Sequence, residues 1–73
     1  MPSLKVIHSY EIPPRIEVVE VKKGETLAEA LYKMNIKYDA VIVAHEKEIV
    51  SDPKSFRIEK DTIIEILEIL DGG

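Results

Sequence analysis

The chain has 73 residues and a hydrophobic fraction of 45%, enough for one folded domain with a small core and little room for a buried pocket besides. Its net charge of -4, with scattered lysines, argues against nucleic acid as a direct partner, which calls for clustered Lys and Arg. The lack of cysteine excludes a disulfide scaffold, a thiolate metal site and a cysteine nucleophile.

Leu4 to Tyr10 reads as a strand, favoured by Val6, Ile7 and Tyr10. Glu11-Ile12-Pro13-Pro14-Arg15 is a turn, because two prolines remove two backbone donors. Ile16 to Lys22 resumes as a second strand, and the two runs suggest an antiparallel hairpin. Ile16, Val18, Val19 and Val21 change face midway, so the sequence leaves the buried side of this strand open.

Lys23-Gly24-Glu25 is a second turn. Thr26-Leu27-Ala28-Glu29 matches a capping box, in which the Thr hydroxyl accepts from the backbone three residues on and the Glu reaches back. Leu27, Ala30, Leu31 and Met34 form one apolar stripe at helical spacing. Asn35 supplies a left-handed stop, giving a helix of about nine residues, or ~14 Å.

Ala40 to Ala44 is a continuous apolar run with β-branched residues at its centre, as in a strand covered on both faces. His45-Glu46-Lys47 is a polar turn and Glu48-Ile49-Val50 a short partner strand. Ser51-Asp52-Pro53 offers a cap followed by proline, which predicts one helical turn through Phe56. Arg57 to Asp61 reads as a polar connection. Thr62 to Leu70 fits helical spacing through Ile63, Ile66, Leu67 and Leu70, but its isoleucine content favours a strand. Leu27, Leu31, Val43, Ile64 and Ile66 are the expected core.

Other residues carry little chemistry. His8 and His45 are lone histidines far apart, with no ligand spacing nearby. Tyr10, Tyr32, Tyr38 and Phe56 are too dispersed for a stacking platform. Glu65 and Glu68 fit a solvated strand face better than a catalytic carboxylate pair. No apolar run approaches the roughly 20 residues of a membrane helix. Met1-Pro2-Ser3-Leu4-Lys5 lacks a signal-peptide core. The expected location is the cytoplasm.

The element order, with Gly24-Glu25-Thr26-Leu27, Val41-Ile42-Val43-Ala44, Glu48-Ile49-Val50 and Asp61 to Leu67 leading to Gly72-Gly73, resembles the β-grasp sulfur carriers. That family includes the thiamine-pathway carrier, to which the likeness is closest, the small subunit of molybdopterin synthase, and ubiquitin-like archaeal relatives. The likeness covers about residues 16 to 73 and departs at the Pro13-Pro14 loop and at His45-Glu46-Lys47, where many carriers have an Asn-Gly type turn. It implies an α+β, ubiquitin-like fold of order ββαβ(β)β. A mixed sheet of four to five strands would pack on one main helix, as a single domain over 1–70 with a flexible tail over 71–73.

The resemblance implies a non-catalytic carrier, monomeric on its own, activated at the carboxylate of Gly73. A carboxylate is a poor electrophile, so a ubiquitin-activating-type adenylating enzyme would supply ATP, Mg²⁺ and electrophilic stabilisation, and the chain would hold neither cofactor nor metal. A sulfur donor enzyme and a downstream acceptor enzyme would complete the pathway, serving thiamine, molybdopterin or tRNA thiolation. Glycines at 72 and 73 would thread an active site because they lack a Cβ. At ~7% glycine usage, two adjacent terminal glycines arise by chance in roughly 0.5% of chains. Leu67, Ile69, Leu70 and Asp71 would dock on the enzyme. The alternatives are a modifier joined to lysines through Gly73, or a β-grasp interaction module with no tail chemistry.

Overall fold

In the computed structural model, which describes residues 1–70, burial alternates along the first strand, β1 (Ser3–His8): Leu4, Val6 and His8 turn inward. Strand β2 (Arg15–Glu20) runs antiparallel to it. The register resolves the face left open by the sequence. Val19 opposes Leu4 on the inner face, while Ile16 and Val18 point outward beside Ile7 and Lys5. Strand β1 ends two residues sooner than expected. The Ser9 N–H bonds to the Ile66 carbonyl at 3.0 Å, and the chain turns at Ser9-Tyr10.

A two-residue strand, β3 (Glu25–Thr26), leads into the helix α1 (Leu27–Lys33). The capping box forms: Thr26 Oγ1 accepts from the Glu29 N–H at 3.1 Å, and the Glu29 carboxylate accepts from the Thr26 N–H at 3.0 Å. The two bonds that Thr26 donates, from its N–H and its hydroxyl, hold the Glu29 carboxyl below its ordinary value. Two more helix amides reach across the fold, Leu27 N–H to the Phe56 carbonyl at 2.8 Å and Ala28 N–H to the Pro53 carbonyl at 3.1 Å. The first three orphan donors of the helix thus all have acceptors. At the other end Asn35 takes a φ of 63°. The Ile36 N–H then reaches the Leu31 carbonyl and the Asn35 N–H the Tyr32 carbonyl, a Schellman ending. The nine expected residues include both caps, Thr26 and Met34.

A 3-10 turn over Tyr38–Ala40 precedes β4 (Val41–His45), so Ala40 lies outside the strand expected to contain it. The hairpin to β5 (Glu48–Ile49) turns through Glu46 at φ 51° and Lys47 at φ 71°. A type I′ hairpin, whose twist matches that of the strands, requires positive φ at both central positions. These residues adopt it without glycine or asparagine.

The chain between β5 and the last strand departs from its expected course twice. The helical turn predicted over Ser51–Phe56 is a tight turn around Asp52, whose side chain accepts from the Lys54 N–H and the Ser55 hydroxyl. The Pro53 and Phe56 carbonyls are occupied by α1, so the segment caps another helix and does not form its own. The polar connection over Arg57–Asp61 contains β6 (Arg57–Ile58), paired with β3, and Ile58 is fully buried.

The ambiguous last segment is a strand, β7 (Thr62–Ile69). It lies at the centre of the sheet, parallel to β1 and antiparallel to β4, in the order β2-β1-β7-β4-β5. The result is a small α+β fold of one helix and a mixed five-stranded sheet, compatible with a β-grasp-like fold. The five expected core residues are each no more than 1% exposed, joined by Leu4, Val6, Val21, Ala30 and Ile58. Strand β4 is buried on both faces at Val43 and Ala44 but not at Val41 and Ile42. Ile42 is half-buried on the outer side. Ala44, on that same side, is screened by its cross-strand neighbours Glu65 and Ile49.

Candidate functional site

Strand β7 pairs Ile66 with Val43 and Glu68 with Ile42, so Leu67 is an extra residue in the ladder. In such a bulge two residues oppose one: Leu67 and Glu68 face Ile42 on the outer side, and Ile69 opposes Val41 on the helix side. Without the extra residue, strict alternation after Ile64 and Ile66 would bring Glu68 to the helix side. The pairing extends one bond further, from the Leu70 N–H to the Ala40 carbonyl at 2.8 Å.

The expected docking residues therefore separate. Leu67, Ile69 and Leu70 are all substantially exposed, but Leu67 belongs to the outer face while Ile69 lines a groove on the helix side. Asp71, Gly72 and Gly73 lie outside the described residues.

The register shows what surrounds Leu67. One row across the outer face runs Ile16, Ile7, Glu65, Ala44 and Ile49. The next sets Lys5 between Val18 and Ile63. Ile16, Val18, Ile49 and Ile63 are each more than half exposed. These exposed apolar side chains flank the charged Lys5 and Glu65 at the middle of the face. The sequence pattern contained this signal in the alternation of β7, but assembling the face needed the neighbours of each strand. Glu65 accepts from the Ser9 hydroxyl at 2.8 Å, and Glu68 is exposed beyond the bulge.

The groove on the other side, about 430 Å³, is lined by Met34, Ile36, Val41 and Ile69 and bounded by His8, Tyr10, Arg15 and Glu17. His8 is 1% exposed. Its Nε2 donates to Glu17 Oε1 at 2.7 Å, and its Nδ1 lies 3.0 Å from the Tyr10 hydroxyl. Arg15 Nη1 holds the same Glu17 oxygen at 2.9 Å. Both ring nitrogens are engaged, which satisfies a buried polar side chain and leaves neither free for a ligand. His45 packs edge-on against Phe56, with ring centroids 4.9 Å apart. Among the described residues, no three metal-ligating side chains converge.

Comparison with protein-family models and with curated proteins gives no match for this chain.

Proposed function

We propose that the chain is a ubiquitin-like, β-grasp sulfur carrier whose Gly73 carboxylate is activated by a partner adenylating enzyme. The observation that carries this reading is the course of β7. The central strand of the sheet is held by β1 as far as Ile66 and by β4 as far as Ile69, and keeps one further bond at Leu70, to the Ala40 carbonyl beside β4. It supports a rigid base for residues 71–73, with apolar Leu67 and Leu70 exposed beside the exit.

In the proposed chemistry a Gly73 carboxylate oxygen attacks the α-phosphorus of ATP and pyrophosphate leaves. A persulfide of the sulfur donor enzyme then attacks the acyl carbon and AMP leaves, forming an acyl disulfide; a second thiol attacks the donor's sulfur in that bond, becomes disulfide-linked to the donor, and releases the thiocarboxylate. The carrier contributes the carboxylate and a docking surface; the enzyme contributes the nucleotide site and Mg²⁺. The cytoplasm is the compartment this reading implies.

The test is deletion of Gly73, read by ATP–pyrophosphate exchange with the cognate adenylating enzyme. Exchange should be lost while the thermal midpoint stays at the parent value, since the described core ends before this residue. Undiminished exchange would overturn the proposal. A mass increase corresponding to sulfur replacing oxygen at Gly73 identifies the carrier, whereas Gly-Gly remnants on lysines of other proteins identify a modifier.

A further inference from the structure

Among the described residues, strand β2 is at one end of the sheet and pairs with β1 alone. The Val21 N–H donates to the Pro2 carbonyl at 2.9 Å, and the register pairs Val19 with Leu4, Glu17 with Val6 and Arg15 with His8. In an antiparallel ladder every second residue turns its N–H and C=O to the same neighbour. The odd-numbered residues of β2 thus bond β1, and Ile16, Val18 and Glu20 direct their backbone groups to the free edge.

Charge at Arg15, Glu17 and Glu20 is the protection this edge carries. The pairing of β1 with β2 has no bulge, and all six residues of β2 take part. The prolines precede the strand. Ile16 and Val18, on the outer face, are 55% and 63% exposed. The charge nearest the strand centre is already compensated, because Glu17 is held by both Arg15 and His8.

We infer that the β2 edge pairs antiparallel with the β2 edge of a second copy of this chain, across a two-fold axis at Val18. Only a register whose paired numbers have an even sum keeps each copy's outer face on one side. The register centred on Glu17 would set two carboxylates directly opposite, at the closer, non-hydrogen-bonded spacing. Centring on Val18 sets Val18 against Val18, Ile16 against Glu20 and Glu17 against Val19, with no like charges opposed. It satisfies the free groups of all three edge residues with ~6 backbone bonds, and joins the Ile16–Val18 strips into one apolar band. A single strand pair makes a small, transient interface, in place of the monomer expected from the sequence. In-plane pairing leaves the outer face and the Leu70 exit open, so the inference does not depend on the sulfur-carrier reading.

The test is sedimentation of the full chain from about 10 μM to about 1 mM, the range in which small interfaces form, with two variants. The weight-average mass should rise toward that of a dimer. Val18→Pro removes an N–H that faces the edge and not β1, which edge strands tolerate, and should weaken association about tenfold or more. Val18→Lys keeps every backbone donor and sets two cations across the axis, so it should weaken association in the same direction if the proline variant fails to fold. In a chain without cysteine, Val18→Cys should cross-link on oxidation, since the hydrogen-bonded pair is spaced about 5.5 Å between Cα atoms. Ile63→Cys, exposed on the same face but two strands inward, should not. A monomer at the highest concentration, a dimer that survives both Val18→Pro and Val18→Lys, or capture of an extended peptide at β2 by a chain that stays monomeric would overturn it.

Discussion

The two faces of the five-stranded sheet are built from the same strands and the same residue types, yet they differ sharply. On the helix side Leu4, Val6, Ile64 and Ile66 are sealed with Leu27 and Leu31 in one cluster. On the other side Ile16, Val18 and Ile63 remain more than half exposed. A seven-residue helix can cover one face only, so hydrophobicity alone does not decide which isoleucine is core. The outer residues add little burial, which leaves them available to a partner and suits the proposed docking role.

The sharpest way to break this comparison is Leu31→Ala. Removing a fully buried leucine should cost about 2–5 kcal/mol in denaturant melts, and a loss below ~0.5 kcal/mol would mean that α1 does not seal the inner face. Thr26→Ala should cost about 1 kcal/mol by removing the N-cap that fixes α1 over the sheet, read in the same melts.

A smaller effect comes from Lys33, which pairs with Glu25 at 2.9 Å. Burial pushes the Glu25 carboxyl up, but hydrogen bonds from Lys33 and the Lys22 N–H, with the Lys33 charge, hold it below its ordinary 4.5. A depressed carboxyl stabilises the fold above its unfolded value, and that contribution is lost as pH falls through the lower folded value. Lys33→Met should therefore cost under ~1 kcal/mol near neutrality, because solvent reaches Lys33 and screens the pair. Its deficit against the parent should shrink as pH drops below 4.5, measured by melts across that range. Ile63→Ser on the outer face should change stability least, by about 0.5 kcal/mol or less. A larger loss would show that the outer face contributes to folding.

Much of the local structure was legible in the residues themselves. The Thr26–Glu29 box, the Asn35 stop and the Leu27–Leu31 stripe depend on contacts within a few positions, and short-range hydrogen bonding fixes them wherever the helix lies. The β-branched content of residues 62–70 likewise identified the last strand. Of the proposed site, the sequence supplied Gly72 and Gly73 and the exposed apolar residues before them. It did not separate Leu67 from Ile69, because the bulge that divides them exists only in the pairing of β7 with β4.

What tertiary structure decided shares one cause: a group's partner lay far along the chain. The Pro53 and Phe56 carbonyls meet amides of α1, so a local helix signal was overridden. Ile58 is buried because β6 finds β3, although its neighbours read as a polar loop. The His8 Nε2 is satisfied through Glu17 once β1 and β2 align. Sequence determined the elements through local propensity and short hydrogen bonds. Only long-range pairing decided which face was covered, which edge stayed open and which apolar residues reached the surface.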